Sequence, residues 1–428
     1  MSLLGRFVDQ LLPVGRVTII QPDDSRATYG PGGGSHVTVK LHDRRAAIDL
    51  FRNPRLRLGE LYMDERLTIE DGGTILDLLE LIVGAKPWEK GRRKALGKGK
   101  AGKLRSLLRR NPVRKSRKNV AHHYDIGNDL YSLFLDDDLQ YSCAYFTDPK
   151  NSLEQAQFDK KAHIAAKLDL KPGQRVLDIG CGWGGMALFM HKVAGVDVLG
   201  ITLSQEQLKV ARKRAKDAGV SDRVKFELID YRLLNDRFDR IVSVGMFEHV
   251  GAAHYDEFYA KCRELLSDDG VMLLHTIGKL GGAGTPDPFT DKWIFPGYHL
   301  PSLSQMCGSS EKVKMIVSDV ETLRLHYAYT LRHWLERATK SRAKIEKMYD
   351  ARFFRMWEFY LSGGIVMFES GAACNFQVQY VRDRRALPIT RDYMMAAERK
   401  YRELGTKPAP AAKRPPSAGR KKPAKSVA

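Results

Sequence analysis

The chain has 428 residues, long enough for two domains and a sizeable core, and at 43% hydrophobic with 17 Phe and 17 Tyr it is globular. A formal charge of +20 points to a polyanionic partner, either nucleic acid or an anionic lipid surface. Five cysteines with no CxxC pair exclude a disulfide framework and a zinc knuckle, no apolar run approaches the ~18 residues of a spanning helix, and MSLLGRFVDQLL lacks a signal-peptide pattern, so a reducing cytoplasmic setting without a metal is expected.

Taken in chain order, residues 1–85 mix strand-like alternation (RVTII, HVTVKLH) with the turn cluster PGGGSH and an apolar helical stretch, GGTILDLLELIVG. That predicts a small α+β domain with no obvious chemistry. Residues 86–120 read as a basic linker, with 15 Lys/Arg against the single acid Glu89. Over 121–400 short apolar runs (RVLDIG, VDVLGITL, VKFELI, FDRIVSV, GVMLLHTI) alternate with amphipathic segments of helical length such as SQEQLKVARKRAKDAG. This order predicts an open, mostly parallel Rossmann-like sheet covered on both faces, with ligands at the carboxyl ends of its strands. Residues 401–428 are expected to form a disordered basic tail, since Pro/Ala/Lys low complexity cannot bury a core.

The sharpest motif is VLDIGCGWGG at 176–185. Its glycines let the turn after the first strand bring backbone N–H groups against a ligand where a helix starts. Gly180, Gly182 and Gly185 also satisfy GxGxxG, so the loop alone does not separate a dinucleotide from a methyl donor. The second strand does: a dinucleotide fold expects an acid at its end, and here it ends GITLSQ. With Asp178 ahead of the glycines, the pattern is similar to the first motif of S-adenosylmethionine methyltransferases. Further on, FDRIVSVGMFEHVG places Glu248 and His249 just past an apolar strand, and His275 ends the neighbouring one. Polar residues commonly close a buried strand, but two such ends side by side lie where this architecture binds ligands.

With that loop in place, HHYDIGNDLYSLFLDDDLQYSCAYF, GITLSQEQ, VGMFEHVG, LLHTIG, FPGYHLPS, HYAYTL and ESGAACNFQVQ together resemble one family, the cyclopropane-fatty-acyl-phospholipid synthases and their mycolic-acid relatives. The resemblance implies a class I methyltransferase in which the cis double bond of a phospholipid acyl chain takes the methyl of S-adenosylmethionine. A bound bicarbonate then removes a methyl proton and a ring closes. It places the bicarbonate cradle on Cys143, Glu248, His275, the backbone of Ile277, and Tyr327. It places the donor on Tyr141 and Ser142, on the loop Val176, Leu177, Asp178, Ile179, Gly180, Cys181, Gly182, Trp183 and Gly184, on Thr202, Leu203, Ser204, Gln205 and Gln207 at the ribose, and on Tyr231 and Arg232 at the adenine. Cys374 matches a cysteine named as a nucleophile in the family, but methyl transfer to an alkene needs no covalent enzyme intermediate, and a lone cysteine in an apolar stretch reads as a core residue.

The resemblance further implies an N-terminal domain that contributes to lipid binding and to a homodimer. Unsaturated phospholipids are the expected partners, at the inner face of the membrane, and the basic segments are expected to help reach them. The same scaffold also serves relatives that leave a methyl or methylene branch. A nucleic-acid methyltransferase fits the charge but not the site, which carries GMFEHVG where amino-methylating enzymes carry an Asn/Asp-Pro-Pro-aromatic loop. A lipid-binding protein on a retired fold conflicts with the retained polar set.

Overall fold

The computed structural model describes residues 8–9, 12, 14–84, 88, 127–282 and 284–406. The expected basic linker, apart from Trp88, and the tail beyond residue 406 lie outside the described residues.

The N-terminal part is a four-stranded sheet of order β2-β1-β3-β4. Its elements are β1 (Gly15–Ile20), β2 (Arg26–Gly32) and β3 (His36–Leu41), helices α1 (Arg44–Arg52) and α2 (Pro54–Met63), β4 (Leu67–Glu70), and α3 (Ile75–Leu79). β1 pairs antiparallel with β2 and parallel with β3. Local chemistry sets the helix starts: Asp43 accepts from the Arg45 and Ala46 N–H groups, and Thr74 forms a capping box with Asp77.

Residues 127–406 build the larger part. Helices α4 (Asn128–Ser132) and α5 (Leu153–Lys167) lead into β5 (Arg175–Ile179), α6 (Gly185–Ala194), β6 (Asp197–Thr202), α7 (Gln205–Asp217), β7 (Val224–Leu228) and β8 (Phe238–Val244). Next come α8 (Tyr255–Leu265), β9 (Leu266–Gly278), α9 (Pro288–Trp293), α10 (Leu303–Lys312) and β10 (Ile316–Leu323). The series ends with α11 (His326–Lys340), α12 (Arg342–Met348), α13 (Ala351–Glu369), β11 (Cys374–Val381) and α14 (Asp392–Thr406). The seven-stranded sheet runs β10-β11-β9-β8-β5-β6-β7. β5 to β9 pair in parallel, as the apolar runs predict, while β10 and β11 are antiparallel. The strand order reverses between β5 and β8, since the chain runs from β5 outward to β6 and β7 and then crosses to β8 on the other side of β5, and a ligand site is expected at the carboxyl ends there.

The N-terminal sheet has no core of its own, whereas the seven-stranded sheet packs two further clusters on its faces. Side chains of β1, β3, α2 and α3 belong to one apolar cluster with α11 and α13, including Trp334 and Trp357. Gly59 of α2 permits this contact, because a Cβ there would come within 2.4 Å of the Phe289 ring. At its edge the Tyr62 hydroxyl donates to Glu358 at 2.5 Å. One boundary moves: residues 401–406, expected to open the tail, are helical, because α14 continues to Thr406 and buries Tyr401 against the α5–α6 layer, its hydroxyl donating to the Leu170 carbonyl at 3.3 Å.

Candidate active site

The Gly-rich loop leaves β5 and enters α6. Gly180 has φ +83°, where L side chains are strained, and a Cβ there would meet the Met246 Cβ at 2.9 Å. The backbone therefore passes close beneath the β8 end, and a cavity of about 1340 Å³, counting its open mouth, lies over the carboxyl ends of β5, β6, β7 and β8. Of the predicted donor residues, Tyr141, Ser142, Asp178, Ile179, Gly180, Cys181, Gly182, Trp183, Thr202, Leu203, Gln207, Tyr231 and Arg232 line it. Five do not. Val176 and Leu177 are buried inside β5, Gly184 turns the chain into α6 and Ser204 caps α7 through the Gln207 N–H. Gln205 is exposed on the first turn of α7.

Several lining residues carry unspent polar capacity. Asp178 is buried, its Oδ2 has no hydrogen-bond partner, and burial pushes its carboxyl up to about 7. Such an atom demands a polar ligand, and the amino group of an amino-acid-bearing donor meets that demand. Thr202 Oγ1 donates to Gln207 Oε1 at 2.9 Å, which fixes both side chains at the β6 edge of the cavity. Asp230 grips Arg232 through Nε at 2.9 Å and Nη2 at 2.7 Å, and the guanidinium lies 5.7 Å from the Tyr231 ring centre. Sequence reasoning missed Asp230, although an acid directly ahead of the named pair, at a strand end, was the available signal. His249, which the sequence places beside Glu248 past the strand, also lines the cavity, and burial keeps the imidazole neutral by lowering it to about 4.

None of the five residues of the expected bicarbonate cradle lines this cavity. The structure joins Glu248 and Ile277 directly: the Ile277 N–H donates to Glu248 Oε1 at 2.6 Å. Oε2 of the same carboxyl is left without a hydrogen bond, and burial raises the group to about 7 against the pull of that N–H and of the nearby Thr276 hydroxyl. His275 is held otherwise than expected. Both its ring nitrogens face side-chain amides of β11, Nε2 with Asn375 Nδ2 at 3.0 Å and Nδ1 with Gln377 Nε2 at 3.2 Å, so an anion at that ring displaces one amide. Strand register explains it, since Gln377 pairs with His275 and Asn375 with Ile277 across β11 and β9. Tyr327 packs its ring 4.7 Å from Phe368 and 5.9 Å from Trp334. The Cys143 thiol is buried beside Ser142 and donates to the Ala144 carbonyl at 3.4 Å, and burial holds it protonated. Cys374 is also buried and its thiol is pushed up to about 12, far from the thiolate a nucleophile needs.

A Gly-rich loop feeding a helix, with a cavity across the switch point of a mostly parallel sheet, is the ligand site of a Rossmann-like fold, and the matches to known proteins make it that of an S-adenosylmethionine-dependent methyltransferase. The sequence model of the mycolic acid cyclopropane synthetase family matches residues 112–378, more than half of the chain, and the protein belongs to that family. Residues 12–87 match a domain of unknown function, DUF7884. The chain is 45% identical over 260 residues to the cyclopropane-fatty-acyl-phospholipid synthase of Escherichia coli K12, covering 61% of this chain and 66% of that protein, just under two thirds of its length. It is 42% identical over 287 residues to a probable fatty acid methyltransferase of Pseudomonas putida, covering 64% of this chain and 73% of the other. Among solved structures, the cyclopropane synthase MmaA2 from Mycobacterium tuberculosis matches with a TM-score of 0.59 and 32% identity over 62% of this chain and 97% of its own. The mycolic acid cyclopropane synthase CmaA1 complexed with SAH and CTAB matches with a TM-score of 0.59 and 33% identity, at 62% and 97% coverage.

Proposed function

We propose that the protein converts the cis double bond of an unsaturated phospholipid acyl chain into a cyclopropane ring, with S-adenosylmethionine as donor and a bound bicarbonate as base. S-adenosylmethionine supplies an electrophilic methyl carbon. Tyr141, Ser142 and the loop from Asp178 to Trp183 hold its amino-acid end, Thr202 and Gln207 meet the ribose, and Tyr231 with Arg232 meets the adenine. Ring closure also needs a proton acceptor that is not itself alkylated. The observation that carries the reading is Glu248: the Ile277 N–H holds its Oε1, so a proton on the buried, unpartnered Oε2 makes it a donor suited to a small protonatable oxyanion. Near pH 7 that carboxyl changes charge with little effort, so it is able to orient the anion or take its proton.

A second reading, a methyl- or methylene-branched product, draws support from the Pseudomonas putida relative, named a fatty acid methyltransferase, whose 42% identity is close to the 45% of the Escherichia coli synthase. Mass spectrometry of membrane lipids from a cyclopropane-free host expressing the chain separates the two. A gain of one CH₂ with ring fragmentation, lost in Glu248→Gln, supports the synthase; a methylene-branched or unsaturated methyl-branched chain of that mass, or a saturated methyl branch two hydrogens heavier, moves the protein to the second reading.

No helix among the described residues is long and apolar enough to cross a membrane. Contact with lipid is therefore proposed to be peripheral, at the cytoplasmic face, aided by the basic stretches at 86–120 and 407–428. Vesicle binding that survives deletion of both stretches and ignores salt refutes that part.

A further inference from the structure

Helix α5 buries three lysines, Lys160, Lys161 and Lys167. Two are matched by acids in direct contact: Lys161 with Asp138 at 2.5 Å, and Lys167 with Glu321. Lys160 is different. No solvent reaches it, and its Nζ donates to two neutral acceptors, Gln140 Oε1 at 2.7 Å and Ser142 Oγ at 2.8 Å. Asp136 and Asp138 act on it only through space, and Lys161 repels it. Burial lowers it to about 8, so it remains a cation at neutral pH. A buried cation without a hydrogen-bonded anion is costly unless an anion completes the site.

The position of Lys160 says where that anion belongs. Gln140, Ser142 and Asp178 all line the donor cavity, and Lys160 stands behind the wall formed by the first two, with its charge felt at Asp178. Gln157 of the same helix clamps that wall, its Nε2 donating to the Gln140 carbonyl at 3.1 Å and the Ser142 carbonyl at 3.0 Å. Because Ser142 Oγ accepts from Lys160, its own O–H is free to point elsewhere. A hydroxyl that accepts from a cation is a stronger donor, since chained hydrogen bonds polarise one another. We propose that Lys160 is a positioning residue for the donor: it orients the Ser142 hydroxyl and the Gln140 amide, and supplies the positive charge against which the donor's carboxylate is bound. The proposal rests on the reading of the cavity as the S-adenosylmethionine site.

Calorimetric titration of the full chain with S-adenosylhomocysteine, and separately with 5′-methylthioadenosine, which keeps the nucleoside but lacks the amino-acid carboxylate, tests it. Lys160→Met is expected to weaken S-adenosylhomocysteine about tenfold or more, the scale of one charge-assisted contact, and to change methylthioadenosine less than about twofold. A purely structural lysine predicts equal losses for both, and that result, or no loss for either, overturns the proposal. If S-adenosylhomocysteine binding is unchanged while turnover needs more bicarbonate, the charge serves the other anion and the proposal is also wrong. Should Lys160→Met fail to fold, Lys160→Gln carries the same expectation, and Ser142→Ala is expected to show the same selective loss. Wild-type protein that binds neither nucleoside removes the donor reading itself, a separate failure from equal losses in the variant.

Discussion

Replacing Glu248 by Gln is expected to stabilise the ligand-free protein, and only at high pH. The folded carboxyl is raised from its ordinary 4.5 to about 7, chiefly by burial. Between those values the folded state holds more protons than the unfolded chain, so the stability present below 4.5 is lost as pH rises through 7. At about 1.4 kcal/mol for each tenfold change in proton affinity, the wild type forfeits roughly 3 kcal/mol by pH 8. Gln keeps an oxygen to accept the Ile277 N–H and carries no charge to bury. Unfolding of both proteins without ligand, followed by circular dichroism in urea at pH 5 and pH 8, measures the effect. Glu248→Gln is expected to be more stable by up to roughly 3 kcal/mol at pH 8 and by less than about 1 kcal/mol at pH 5, while losing turnover at both. A difference that does not change with pH, or a variant less stable at pH 8, refutes the reasoning that an uncompensated carboxylate is held there.

Other outcomes follow from the same geometry. Asp178→Ala removes the unpartnered oxygen in the cavity and is expected to weaken S-adenosylhomocysteine by one to two orders of magnitude, read by calorimetry. Gly180→Ala forces both a strained φ and a contact with Met246, and should cost about 1–3 kcal/mol of stability along with donor binding. Cys374→Ala should retain turnover within a few-fold, because its thiol does no chemistry; a loss of several orders of magnitude in a folded variant would restore the nucleophile reading.

The fold was legible where burial makes sequence uniform. β5, β6, β8 and β9 are parallel strands of the sheet interior, and their apolar runs announce them, while the edge strand β7 alternates buried Val224 and Phe226 with exposed Lys225 and Glu227. β11 is buried along all eight residues, yet Asn375, Gln377 and Gln379 interrupt its apolar character. Those amides are tolerated because they bond to partners far away in the chain: His275 for the first two and the Lys167 carbonyl for the third. No local pattern contains that information. β2 was missed for the opposite reason, its residues being half-exposed and its GPG end looking like turn.

The site divides in the same way. The Gly-rich loop is a local device, and its conformation follows from its own residues. The five expected cradle residues come from the segment between α4 and α5, the loop after β8, β9 and α11, so the family resemblance proposed them while only the structure reveals that amides of β11 occupy the His275 ring. Lys160 stayed hidden in an ordinary-looking helical stretch, LEQAQFDKKAHIAAK, because nothing in that pattern says which lysine faces inward.

The most direct test of the central claim uses purified protein, vesicles of monounsaturated phospholipid and S-adenosylmethionine carrying a fully deuterated methyl group. Ring closure transfers the methyl carbon to the alkene and surrenders one deuteron to the base. The account predicts a product with two deuterons on a saturated ring carbon, resolved by mass and by the upfield ring signals in NMR. Three deuterons on a methyl branch, two on an exocyclic methylene that hydrogenates readily, or no transfer from a donor that binds would contradict it.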